Sequence, residues 1–101
     1  MFSGGSYHEV GRWLWNFLTS HAKRVDPRLE VELEAGDERE GKSYGARLRF
    51  GRLVSPVMEF DYREVADSRG SLAWCSALAA RMRELTRALL DAQRTADGGA
   101  R

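Results

Sequence analysis

The stretch Tyr44-Gly45-Ala46-Arg47-Leu48-Arg49-Phe50 decides how this chain is read, because apolar residues alternate in it with glycine and arginine. A period of two puts Tyr44, Ala46, Leu48 and Phe50 on one side of a strand, with Arg47 and Arg49 on the other. One face is then dry and the other wet, so the neighbouring segments have to supply a partner for each.

Upstream, Leu29, Val31 and Leu33 alternate with Glu30, Glu32 and Glu34, which predicts a first strand. The segment from Ala35 to Lys42, rich in charge and glycine, reads as a polar loop or a frayed hairpin end. Downstream, Gly51-Arg52 suits a tight turn. Leu53 to Val65 then reads as a third strand, with Met58, Phe60 and Tyr62 inward and Glu59, Asp61 and Arg63 outward. Pro56 lacks a backbone donor, which places that strand on a sheet edge. An antiparallel meander sets Arg47 and Arg49 between the glutamates of the first strand and the acids of the third, where cross-strand charge pairs stabilise. A nucleic-acid platform would instead carry exposed aromatic residues and unpaired cations on that face.

Two helices bracket the strands. Ser6-Tyr7-His8-Glu9 fits the capping box, in which the serine oxygen and the glutamate side chain each satisfy a backbone donor. From there Tyr7, Val10, Leu14, Phe17, Leu18, His21 and Val25 recur at helical spacing until Asp26-Pro27 ends the helix. Trp13 and Trp15 fall on opposite flanks of that stripe. Ser71 suits an N-cap for a second helix reaching about Gln93, with Cys75, Leu78, Ala79, Met82, Leu85 and Leu89 as its buried stripe. Leu72 and Trp74 flank this stripe, and Ala73, Ala77 and Ala80 leave the opposite face small rather than charged. The expected fold is therefore α+β, in the order α-β-β-β-α, with two helices packed on one face of a three-stranded antiparallel meander.

The 101 residues suit a single domain able to bury a modest core. We expect a flexible N-terminus over residues 1–5, one domain over 6–94 and a disordered tail over 95–101. No apolar run approaches the ~20 residues that a membrane span needs, and the start does not read as a signal peptide. The expectation is a cytoplasmic protein without a membrane partner. Net charge is only +1, but residues 27–68 carry seven Lys/Arg against ten Asp/Glu, while 69–95 carry five against two.

The sequence holds no catalytic constellation, and the expectation is a protein that is not an enzyme. His8 and His21 have no companion ligand at metal spacing, Cys75 sits on the apolar stripe as an inert thiol, and no phosphate loop or nucleophile elbow is present. No cofactor, metal or catalytic residue is expected. The first functional expectation is a small protein-protein interaction module of the adaptor, chaperone, inhibitor or immunity type, able to form a homodimer. Its binding residues would be Trp13, Trp15, Ala73, Ala77 and Ala80, since tryptophan is over-represented among binding hot spots. The second is nucleic-acid binding through Lys23, Arg24, Arg83, Arg87 and Arg94, which could follow a phosphate backbone.

The order helix, three strands, helix resembles that of double-stranded RNA-binding domains. Gly70-Ser71 followed by Ala77, Ala79-Ala80 and Leu85 is similar to the start of that family's second helix. The resemblance covers residues 6–93 at the level of element order and implies the fold. That family sets phosphate-gripping lysines in the first turn of this helix, where the present chain has Leu72, Ala73 and Trp74.

Overall fold

A computed structural model describes the backbone of residues 6–99 and the side chains of residues 6–95, so the expectations for residues 1–5, 100 and 101 lie outside the described residues. The elements are α1 (Tyr7–Val25), β1 (Glu30–Glu34), a 3₁₀ turn (Asp37–Arg39), β2 (Ser43–Phe50), β3 (Leu53–Val54), β4 (Met58–Asp61), α2 (Tyr62–Ser68) and α3 (Leu72–Gly99). The chain is α+β, with α1 and α3 covering one face of an antiparallel sheet. The last helix runs on to Gly99, beyond the expected end near Gln93 and through the start of the expected tail.

α1 begins as its sequence requires. Ser6 accepts a hydrogen bond from the Glu9 backbone while Glu9 closes the reciprocal bond to Ser6, and Asp26 ends the helix in extended conformation. The polypeptide then reverses into β1, which pairs with β2 in the register Val31 to Leu48 and Glu32 to Arg47. β2 is the centre of the sheet, with β1 on one side and both β3 and β4 on the other. Gly51, at φ +64°, supplies the left-handed conformation that opens the two-residue turn into β3.

The expected third strand needs two corrections. It is interrupted at Ser55-Pro56-Val57, where one extra residue bulges out, so Val54 pairs with Arg49 but Met58 pairs with Ala46. Ser55 repairs the ladder there, since its N–H donates to the Leu48 carbonyl and its hydroxyl accepts from the Leu48 N–H, both at 2.9 Å. The strand also ends at Asp61 rather than near Val65. Asp61 caps α2 by accepting from the Glu64 backbone, and Val65 turns inward from that helix.

The core lies between the sheet and the helices. Leu14, Leu18, Leu29, Leu48 and Met82 are fully buried, together with Val10 and Val65, and Phe60 is nearly so, whereas Phe17, Leu33 and Leu85 are half-buried at its margin. Tyr44 is the largest fully buried side chain. Its ring stacks on Tyr7 at 4.6 Å, its hydroxyl donates to the Tyr7 carbonyl at 2.6 Å, and the Tyr7 hydroxyl donates in return to the Ser43 carbonyl. Burial, reinforced by the neighbouring Tyr7 and Tyr62, pushes the Tyr44 phenol above its ordinary pKa. Gly11 makes room for this ring, because a Cβ there would lie 2.9 Å from Tyr44 Cε1.

Charges meet on the outer face, though differently from expectation. Arg47 and Arg49 both donate to Glu32 on β1, at 2.8 and 2.7 Å, and neither pairs with an acid of β4. The partner of β4 is Arg39 from the 3₁₀ turn, whose guanidinium donates to both Glu59 oxygens at 2.7 and 3.0 Å. It reaches Glu59 by lying across Gly45, where a Cβ would stand 2.8 Å from Arg39 Nη2.

Candidate protein-binding surface

Ser71 starts α3, its hydroxyl accepting from the Trp74 N–H at 3.2 Å. The first turn that follows is apolar. Leu72 is 84% exposed, far more than any other large hydrophobic side chain among the described residues, and Ala73 and Ala77 are exposed beside it on the same helix. The buried stripe begins in earnest only at Leu78, so the opening turn contributes apolar surface that the core does not consume.

Trp74 is held from two sides. Its indole N–H donates to Glu64 of α2 at 3.3 Å, and its ring lies 6.3 Å from that of Trp13 on α1. Trp13 stacks on Phe17 at 5.2 Å and the His21 ring lies tilted 4.5 Å from that of Phe17, so a half-buried aromatic row follows the seam between the two long helices. The spacing 13, 17, 21 is the i, i+4 row of one helix flank. On the far side of Trp74 a small groove of about 110 Å³ is lined by Glu59, Phe60, Glu64, Ala77 and Arg81. The groove thus sets an apolar floor of Phe60 and Ala77 between two acids and an arginine.

The protein-binding residues expected from sequence do not form one surface. Trp13, Ala73 and Ala77 share the α3 side, and Ala80 is half-buried. Trp15 lies on the opposite flank of α1, 40% exposed, with its indole N–H donating to the Val31 carbonyl at 2.9 Å. The residue that sequence reasoning passed over is Leu72. Its signal was its position directly after an N-cap serine, where a charged residue would ordinarily keep the exposed first turn wet.

The expected phosphate-binding residues also divide. Lys23 donates to the carbonyls of Pro27 and Leu29 at 2.9 and 3.0 Å, and Arg94 pairs with Asp91. Arg24, Arg83 and Arg87 are exposed and have no ion pair among the described residues. Burial lowers the His21 pKa, and the positive charges of Arg24 and Arg83 lower it further.

Among the described residues, no three His, Cys, Asp or Glu side chains are grouped as a metal ion would need, and no helix is long and apolar enough to cross a membrane. Cys75 is half-buried, its sulfur 3.5 Å from the Arg69 carbonyl. No protein family, curated protein or solved structure matches this chain.

Proposed function

We propose that the protein is a non-catalytic interaction module that docks a partner protein on the first turn of α3. What supports this is Leu72, a leucine at 84% exposure beside Ala73 and within the same helical turn as a tryptophan fixed by Glu64. Covering such a side chain contributes about 1.5–3 kcal/mol, and tryptophan, which stands two residues further on the other flank of the helix, is a residue type that often anchors an interface. The partner can be a second copy of the chain or a different protein, and the test separates them. A photo-crosslinking residue at position 72 should give a discrete adduct, absent when the same residue stands at Arg52 in the exposed β2–β3 turn. Light scattering over a range of concentrations then tells self-association from capture of another protein. Leu72→Asp should weaken either association by at least about tenfold, as loss of a buried leucine contact requires. Equal crosslinking from positions 72 and 52 would remove the proposal.

A second function draws on Arg24 and Arg83, exposed cations with no ion pair among the described residues. Together with Arg87 they could contact about three phosphates, giving a slope of about −3 in a plot of log affinity against log salt. Fluorescence anisotropy with duplex RNA, duplex DNA and single strands at low salt measures that slope. Binding that survives Arg83→Glu and Arg87→Glu together would exclude this role for the helix.

A further inference from the structure

Trp15, unlike the half-buried Trp13 and Trp74, is exposed and belongs to a different surface. β1 is an edge strand, paired with β2 on one side only. Leu48, the cross-strand neighbour of Val31, turns its own N–H and carbonyl toward Ser55, so the backbone groups of Val31 must point to the open edge. By the alternation of the strand, those of Leu29 and Leu33 point the same way.

α1 covers the beginning of this edge and not its end. Lys23 Nζ donates to the Leu29 carbonyl at 3.0 Å and Trp15 Nε1 to the Val31 carbonyl at 2.9 Å. Thr19, four residues from each, is half-buried in the same row of α1, and its hydroxyl oxygen is buried without a partner. Such capping is a known defence of edge strands against uncontrolled pairing. It stops at Trp15. Among the described residues nothing meets the N–H or the carbonyl of Leu33, and beside them opens a groove of about 350 Å³ lined by Tyr7, Gly11, Arg12, Trp15, Leu33 and Ala35.

The charges around this open end select the occupant. On the outer face of β1 at this end Glu34 is exposed, and the nearest cation to it is Arg39 at 4.0 Å, which Glu59 already holds at 2.7 Å; Glu30, also exposed, lies at the covered end, and Arg12 stands on the groove side. Two copies of β1 pairing edge to edge would set glutamate against glutamate, which is destabilising. We propose that the open end of β1 takes up an extended peptide of alternating basic and apolar residues as an added strand, main chain to main chain at Leu33. Its apolar side chains would enter the groove below Trp15, and a lysine or arginine would lie over Glu34. This is strand addition, in which backbone bonds give affinity and alternate side chains give selectivity.

The experiment uses the full chain, labelled with ¹⁵N, and the blocked peptide Lys-Val-Lys-Val-Lys as probe. Saturating peptide should slow amide exchange at Leu33 by about tenfold or more, because that N–H becomes bonded. The same peptide N-methylated along its backbone keeps every charge and side chain and should give no protection, and Glu-Val-Glu-Val-Glu should not bind. The variant Glu34→Lys should weaken the lysine peptide about fivefold and strengthen the glutamate one, while Leu72→Asp should leave both unchanged. Equal affinity of the N-methylated peptide, unprotected Leu33, or shifts centred on the first turn of α3 would each overturn the proposal.

Discussion

The outer face of the sheet and the first turn of α3 both face solvent, and they handle it in opposite ways. On the sheet, Glu32 accepts from two arginines and Glu59 from a third that lies across a glycine to reach it. Those charges have their partners within the domain, unlike Glu30 at the rim, which has no ion pair among the described residues. On α3 the exposed groups are Leu72, Ala73 and Ala77, which have no such partner. A surface that satisfies itself serves the fold, whereas one that leaves apolar area uncovered is available to something else.

The largest effect that can test this contrast is on stability. Leu48→Ala, at a fully buried site in β2, should cost about 2–5 kcal/mol in chemical denaturation. Leu72→Asp should lie within about 0.5 kcal/mol of the parent, as substitutions at exposed positions usually do. If the two cost the same, Leu72 is part of the core under working conditions and the contrast fails.

A smaller effect separates two glycines with the same apparent crowding. Gly11→Ala would bring a Cβ to 2.9 Å from Tyr44, whose ring is stacked on Tyr7 and tied to the Tyr7 carbonyl, so it cannot move aside. We expect a net loss of about 1–2 kcal/mol despite the higher helix propensity of alanine. Gly45→Ala meets the far end of Arg39, a flexible side chain that can swing away. Thermal melts should show a clear fall for the first and little for the second. The reverse order would mean that the outer charge lattice is stiffer than the tyrosine core.

The smallest effect concerns an ion pair at the end of α1. Hydrogen bonds from the Arg28 side chain and backbone hold the Asp26 carboxyl down at about 2, below its ordinary 3.8. A depressed carboxyl pKa contributes stability that is present above the unfolded value and lost as pH falls through the window from about 3.8 to about 2. Carboxyl NMR titration should place the Asp26 midpoint near 2, and Arg28→Ala should return it toward 3.8. A midpoint near 3.8 in the parent would show that this surface pair does not persist in solution.

Much of the fold was legible because period-two alternation and capping are local signals. Val31, Leu48, Met58 and Phe60 all point inward as the pattern requires, and Ser6 and Ser71 cap the helices that they precede. What was hidden depended on contacts distant in the chain. α2 escaped because Met58, Phe60 and Tyr62 continue the strand period; only Asp61, three residues before Glu64, marked a helix start. Arg39 sat in a segment read as loop, so its span to Glu59 had no pattern to reveal it. The surfaces were harder still. A helical wheel sets Trp13 and Trp15 on opposite flanks but does not say that one meets Trp74 and the other an edge carbonyl.

The interruption at Ser55-Pro56-Val57 also works as a parity switch. Leu53 faces the same side as Phe50, and Met58 the same side as Ala46, so an odd-numbered and an even-numbered residue share one face only because a single extra residue lies between them. Removing any one of the three would carry Glu59 and Asp61 into the space of Met58 and Phe60, or Leu53 out of it. The segment should therefore accept exchange of Pro56 far more readily than a change in its length.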